Sequence, residues 1–477
     1  MTPRRTPRLT AIVALALVGT GLSAANTQAM NGSSVDRDGR GGRETAAERA
    51  LRDFLDHGPG AKILTAAHRG QWRKAPENSL PATRAAFADG AEIAELDVRL
   101  SRDGHPVLMH DPTVDRTTNG TGRVADLTLA QLRSLRLKAG LGGAQAPLTG
   151  ERVPTLAEAM KVAGDRGLVN LDKGWPIREE MYDVLKATGT VRNALFKSEA
   201  PVDEVQAFRE AHPDALYLHQ VADLDGEVVD EFGDAPPLGY EVGFVSERDA
   251  LARRPVIGRM RATGRLWINA MWHGLAGRHT DEASLTDPAR GWKALTGTFG
   301  ADIIQTDNVA AFESWLRTGH GDPRPPGALR IQAEGFARGG EGVAYHDTTP
   351  GNRQSAARAT EDVDVCDLDG AVAVCWIRGG EWIDYHFTVA APGRYALAAR
   401  VSSPYSPAGT YRVAFDGDRA SGPVRVRNTT GHSAFFLQES GVVRELGAGR
   451  HRLRIRMEEA AFQNFNLDYV QLRKVVR

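Results

Sequence analysis

Eight short apolar runs, at 62–67, 93–99, 168–172, 193–197, 215–219, 239–244, 266–270 and 301–305, punctuate the first two thirds of the chain, with helix-length segments such as IREEMYDVLKAT between most of them. Parallel neighbouring strands need crossovers of about a dozen residues or more, usually helical. Eight such units predict an α/β fold, a closed TIM (β/α)8 barrel whose functional groups gather at the C-terminal strand ends. The first run ends in His68-Arg69-Gly70, which places an imidazole and a guanidinium at that rim.

The second run brings carboxylates to the same place. In AEIAELDVRLSRDGHPVLMHD, strand alternation sends Ala94, Leu96, Val98 and Leu100 to one face and Ile93, Glu95, Asp97 and Arg99 to the other. The apolar face suits packing against outer helices. Like charges sent into the mouth are costly unless a cation lies between them, so Glu95 and Asp97 read as ligands of a hard metal, the competing reading being structural ion-bridge carboxylates. Asp103-Gly104 signals a two-residue hairpin, inserted between parallel strands. If Arg102 pairs with His105, then Asp97 pairs with His110, and directly opposed residues share a face with Cβ atoms ~5 Å apart. Charge neutralisation by Arg69 and a cation, with one histidine taking a proton and the other giving one, is the combination that phosphodiester cleavage needs.

The chain, 477 residues long, exceeds one ordinary core, and its texture changes after RTGHGDPRPPGAL. Residues 318–328 read as a Gly/Pro-rich linker between a barrel at 49–317 and an all-β sandwich at 329–477, whose short alternating segments include EWIDYHFTV, GRYALAARV, TYRVAFDG and HRLRIRM. At the other end, Arg4, Arg5 and Arg8 precede the apolar LTAIVALALVGTGL and small residues with cleavage points after Ala25 or Ala29. Residues 1–29 therefore read as a signal peptide of a secreted, extracellular protein without a stable membrane anchor, followed by a disordered lead-in at 30–48. The formal net charge of −1 supplies no general attraction to nucleic acid or an anionic membrane. The two cysteines, Cys366 and Cys375, read as a local disulfide, with two reduced thiols as the alternative.

AHRG with PENS, then ELDVRLSRDGHPVLMHDPTVDRTTNGTGRVADLT and, much later, IIQTD, resemble the glycerophosphodiester phosphodiesterases over about residues 62–317. The resemblance implies hydrolysis of glycerophosphodiesters to glycerol phosphate and an alcohol, with His68 and His110 as the acid/base pair, Arg69 on the phosphate, and Glu95 and Asp97 as ligands of a divalent cation, calcium or magnesium. It also implies Asp172 as third ligand and Lys173 on the phosphate. On a regular strand Lys173 points away from the face of Asp172, so its role needs a bulge at the strand end. Gly70 is read as room for phosphate, and Asn78 either hydrogen-bonds near the phosphate or caps the following helix. Trp267 either walls the substrate alcohol or packs. A phospholipase C-like reaction forming a cyclic phosphate, and a non-catalytic glycan-binding protein with a barrel scaffold, are the alternatives.

RIQAEGFARG, IRGGEWIDYHFTVAAPGRYALAARV and FNLDYVQL resemble family-six carbohydrate-binding modules. By that resemblance Glu334 and Asp468 hold a second, structural calcium, or else are solvated edge charges. Trp382, Tyr385 and Asn464 are the candidates for a cell-surface or extracellular carbohydrate, with burial of the two aromatics as core the competing reading. His432 and Ser433 stand where the family often places a tryptophan, which leaves one wall of the cleft in doubt.

Overall fold

The computed structural model describes residues 44–475 apart from 59, 223–225, 320–327 and 355. The leader expected over 1–29, the lead-in as far as 43 and the middle of the linker lie outside the described residues.

The eight apolar runs form eight parallel strands: Leu64–Ala67, Ile93–Leu100, Leu168–Asp172, Ala194–Ser198, Leu216–Val221, Gly239–Val242, Arg265–Asn269 and Ile303–Thr306. Each pairs with the next, and the last pairs with the first, so the barrel is closed. Alternation sorts the strand residues by height as well as by face. At the bottom of the barrel Leu64, Ile93, Leu168, Leu195, Trp267 and Ile303 form one apolar layer with Phe54. One step up, the layer turns polar: Lys197 Nζ donates to Glu241 Oε2 at 2.7 Å, and Gln305 Nε2 to Glu95 Oε2 at 3.1 Å. Leu96 and Val98 face outward into the main core shared with the helices.

The lead-in expected up to residue 48 gives way earlier to a helix, Ala46–Leu55. Thr45 and Glu48 cap each other's backbone N–H groups, and Ala47, Ala50 and Phe54 are buried. The carbonyls of Phe54, Asp53 and Asp56 accept from the Arg265 guanidinium, which has no exposed surface, so the helix is fastened across the barrel floor at its C-terminal end.

The hairpin insertion is present, but its register differs from the expected one. Val98 pairs with Leu108 and Leu100 with Pro106, while the Ser101 N–H donates to the His105 carbonyl at 3.0 Å. The turn therefore holds three residues rather than two, with Gly104 at φ +81, and Met109 rather than His110 stands opposite Asp97. An Asp-Gly pair serves a two-residue turn and a three-residue loop ending in a left-handed glycine equally well.

After the barrel comes an all-β sandwich. One sheet combines Val365–Leu368, Ala371–Val374, Asn466–Lys474, Gly393–Ser402 and Phe436–Leu446 with Ala328–Gln332; the other orders Tyr345–His346, Trp382–Val389, Gly449–Met457, Gly409–Phe415 and Val424–Val426. Their inward residues form a separate core around Tyr385, Leu397, Tyr411, Ile455 and Val470. Cys366 and Cys375 are joined as a disulfide at the first hairpin. The first sheet lies against the barrel: Thr280 Oγ1 donates to the Asp369 carbonyl at 2.6 Å, and Arg330 reaches the Leu285 carbonyl. Among the described residues no helix is long and apolar enough to cross a membrane.

Candidate active site

Glu95 and Asp97 on the second barrel strand and Asp172 at the end of the third present carboxylate oxygens within 4.8 Å of one another. Strand pairing enforces this, since Asp97 lies beside Asp172 in parallel register. N–H donors hold one oxygen of each. Glu95 Oε2 accepts from the Arg69 backbone at 2.8 Å, Asp97 Oδ2 from Asn78 Nδ2 at 2.8 Å, and Asp172 Oδ1 from the Lys173 backbone at 2.7 Å. Burial, then the charges of Asp97 and Asp172, push the Glu95 carboxyl well above its ordinary range. Asp172 is drawn the other way: Lys197 at 3.5 Å, with Lys173 behind it, overcomes the effect of burial. Three converging carboxylates, two buried and Asp172 half-buried, with one oxygen each already fixed are a donor set that fits a hard divalent cation.

Three residues around this cluster, two of them cationic, reach it through unusual backbones. Arg69, Asn78 and Lys173 all have left-handed φ values, 52°, 54° and 58°. The strand stops at Asp172, and the left-handed turn at Lys173 brings its Nζ to 3.8 Å from Asp97 Oδ1, which supplies what a regular strand could not. Arg69 is held by Glu77, whose Oε2 accepts from its Nη1 at 3.0 Å; Arg116 grips the same carboxylate through two nitrogens at 2.7 and 2.8 Å. The buried Arg69 Nε has no hydrogen-bond partner among the described residues. Asn78 does not cap the following helix, which Ser79 does; its amide instead bonds both the side chain and the backbone of Asp97. Gly70 does not leave room for a ligand: a Cβ there would meet the Ala82 backbone at 2.8 Å, so the close approach of the helix explains the glycine.

Both histidines stand at the rim, each with Nδ1 against a carboxylate. His68 Nδ1 lies 2.7 Å from Asp307 Oδ1, and His110 Nδ1 2.6 Å from Asp111 Oδ1. The pairing assigns the proton to Nδ1 and turns Nε2 of each ring toward other partners. Asp307 also accepts from Trp72 Nε1 at 2.6 Å, and although burial would raise its pKa, His68 holds it below the usual carboxylate value. His110 arrives past the end of its strand, where Arg99 grips its carbonyl at 2.7 Å. Burial lowers the pKa of His110 against the pull of Asp97.

Asp307, Asp111, Glu77, Arg116 and Trp272 belong to the site without having been singled out from the sequence. Asp307 closes the IIQTD stretch and Glu77 opens the acidic half of PENS, so both lay within recognised motifs. Trp272, 40% exposed, meets His68 edge-to-face with ring centroids 5.9 Å apart. Trp267 is not a rim residue: it has no exposed surface, its Nε1 donates to Asn269 and Gln305 inside the barrel, and Lys197 lies over its ring. Trp272 stands where Trp267 was expected.

In the sandwich, Tyr385 is core rather than a sugar platform, fully buried with its hydroxyl on the Ala333 carbonyl. Trp382 faces outward, but the Arg454 guanidinium covers its ring at 3.5 Å. Asn464 sits half-buried in a loop beside a small aromatic group in which Tyr405 meets His432 and Phe462. Glu334 and Asp468 do lie near each other. Asp468 is engaged by Arg400 at 2.5 Å, whereas Glu334 Oε2 and Gln332 Oε1 are buried without a hydrogen-bond partner among the described residues.

Residues 68–222 match the Glycerophosphoryl diester phosphodiesterase family, residues 218–316 a domain of unknown function, and residues 338–474 the Carbohydrate binding module (family 6). A glycerophosphodiester phosphodiesterase of Caldanaerobacter subterraneus subsp. tengcongensis is 46% identical over 112 residues, 23% of this chain and 45% of that protein. Glycerophosphodiester phosphodiesterase 1 of Homo sapiens is 49% identical over 102 residues, 21% of this chain and 30% of that protein. The chain thus spans less than half the length of either relative. A solved Glycerophosphoryl diester phosphodiesterase from Parabacteroides distasonis is 23% identical, covering 58% of this chain and 95% of that one with a TM-score of 0.46. The chain therefore carries a glycerophosphoryl diester phosphodiesterase family domain at 68–222 and a family 6 carbohydrate binding module at 338–474.

Proposed function

We propose that the protein is an exported, divalent-cation-dependent phosphodiesterase that hydrolyses glycerophosphodiesters to glycerol phosphate and an alcohol. The observation that carries this reading is the buried Nε of Arg69, which lies 3.8 Å from Asp97 Oδ2 and has no hydrogen-bond acceptor among the described residues, beside three clustered carboxylates and two carboxylate-tethered histidines. A buried guanidinium donor with nothing to bond is costly unless an anion completes it, and phosphate accepts from Arg in just such a fork.

A cation held by Glu95, Asp97 and Asp172 would supply Lewis-acid neutralisation of the phosphate charge. Arg69 and Lys173 orient the phosphate from opposite sides of Asp97. His110, its pKa depressed by burial, takes the proton of the attacking oxygen. His68, its Nδ1 anchored on Asp307, delivers a proton through Nε2 to the departing alcohol. Trp272 screens that histidine from water on one side.

The family 6 match supports a sugar ligand for the sandwich, with Asn464 and the Tyr405, His432 and Phe462 group as its site; glycan arrays on the full chain test it.

Phosphorus NMR with glycerophosphocholine and with a glycerol-phosphate polymer, each with calcium, magnesium or chelator, tests the main reading. Cation-dependent release of glycerol phosphate supports it, with His68→Ala and His110→Ala each losing about 100- to 10,000-fold. An accumulating cyclic phosphate would reassign the reaction to the phospholipase C type. No turnover of either substrate would defeat the proposal.

A further inference from the structure

We infer that the sandwich is a working part of the catalytic rim: Arg400 is a positioning residue for His68, and Thr430 one for Arg69. The inference rests on the catalytic reading of those two rim residues. Two separate hydrogen-bonded paths lead from the sandwich to them.

The first path alternates in charge. His68 is tied to Asp307, whose backbone carbonyl accepts from Arg73 Nε at 2.8 Å. Arg73 Nη2 donates to Glu282 Oε1 at 3.0 Å, and its Nη1 to the carbonyl of Phe435 in the sandwich. The other Glu282 oxygen is held by Arg400 of the sandwich, whose second arm holds Asp468 at 2.5 Å. Arg400 and Glu282 are each only 3% exposed. Desolvated charges persist only while every partner stays in place. Without Arg400, Glu282 and Asp468 would be left as two buried carboxylates, and Arg73 would be drawn toward them and off the Asp307 carbonyl.

The second path runs through the loop at 139–145. Glu77, which holds Arg69, donates its backbone N–H to the Gly140 carbonyl at 2.9 Å, and Arg116 donates to the Leu141 carbonyl. The Leu141 N–H in turn donates to Thr430 Oγ1 of the sandwich at 3.0 Å. Gly140, at φ +57, has no space for a side chain there: a Cβ would meet Thr430 Cγ2 at 2.9 Å. Gln145 fastens the same loop, accepting from the Ser406 backbone at 2.8 Å and from Asn428 at 3.2 Å. A module that only raised the local concentration of enzyme on a polymer would need neither path.

The test uses full-length protein with glycerophosphocholine and the preferred cation, and separately imidazole nitrogen–proton NMR of metal-free protein, with the His68 signal identified by its loss in His68→Ala. Arg400→Met should lower kcat about tenfold with little change in KM and move the His68 Nδ1–H resonance, and Arg400→Lys should restore most of both. Thr430→Val should lower kcat/KM about tenfold through Arg69, with Thr430→Ser restoring it and the His68 resonance left in place. If Arg400→Met fails to fold, Glu282→Gln, which breaks the charged link between Arg400 and Arg73, is read the same way. Wild-type kinetics with an unmoved His68 resonance in Arg400→Met, or a wild-type kcat/KM in Thr430→Val, would overturn the inference for that residue. A wild-type protein without turnover would defeat the catalytic reading instead, and the resonance alone would then decide whether the wiring exists.

Discussion

Arg69, Asn78 and Lys173 each hold a left-handed backbone, which costs on the order of 1–3 kcal/mol per residue and persists only where surroundings over-determine it. Here the surroundings are the carboxylates: all three residues bond or face Asp97. Asn78→Ala should therefore weaken cation binding about 10- to 100-fold, read by calorimetric titration with calcium and magnesium. Asp307→Asn should cost kcat a similar factor, because His68 would lose the acceptor that fixes its tautomer; unchanged kcat would rule out that role. Glu334 gives a pH-dependent prediction. Burial lifts its carboxyl to about 7, so its contribution to stability declines as pH rises from ~4.3 toward that value. A cation bound there reverses the decline, so the calcium-induced gain in Tm should grow between pH 5 and 8, and Glu334→Gln should remove that growth. A gain that is flat with pH, or the same in the variant, would remove calcium from this position. At this scale the sequence was informative wherever a strand period fixed direction, as for Glu95 and Asp97. It did not single out Asp307, which lies one step past its strand end, where no period governs which way a residue turns.

Elements were legible in proportion to their apolar patterning. The eight barrel strands could be read because they are buried at nearly every position and appear as short, largely apolar runs. The first turn of the floor helix Ala46–Leu55, as far as residue 48, was taken for lead-in because Gly- and Arg-rich sequence runs directly into it, although Thr45 and Glu48 already carried the capping-box spacing. Phe54 anchors that helix in the bottom layer, and Phe54→Ala should destabilise the protein by about 3–5 kcal/mol in urea titrations. The hairpin shows the opposite limit. Its existence followed from Asp103-Gly104, but a one-residue difference in the turn changes every cross-strand partner, and sequence alone does not distinguish the two turns. His110 still reaches the site, since the chain leaves the ladder after Leu108 and Arg99 catches its carbonyl.

For the molecule as a whole, two hydrophobic cores would ordinarily unfold as two units. The buried series Asp307, Arg73, Glu282, Arg400 and Asp468 opposes this, because opening the interface exposes each charge to the loss of its partner. Calorimetry should show one transition for the wild type and two for Arg400→Met, whereas two transitions in the wild type would make the parts independent. The boundary between barrel and sandwich could be read from the change in strand texture. Their embrace could not, since it depends on single polar residues far apart in sequence. That interface also changes what the linker is for. A protease cutting between Gly319 and Ala328 would turn one chain into two without releasing either, and the pieces should co-elute from a sizing column as a stable heterodimer, the peptide link being a convenience of synthesis rather than the bond that holds barrel and sandwich together.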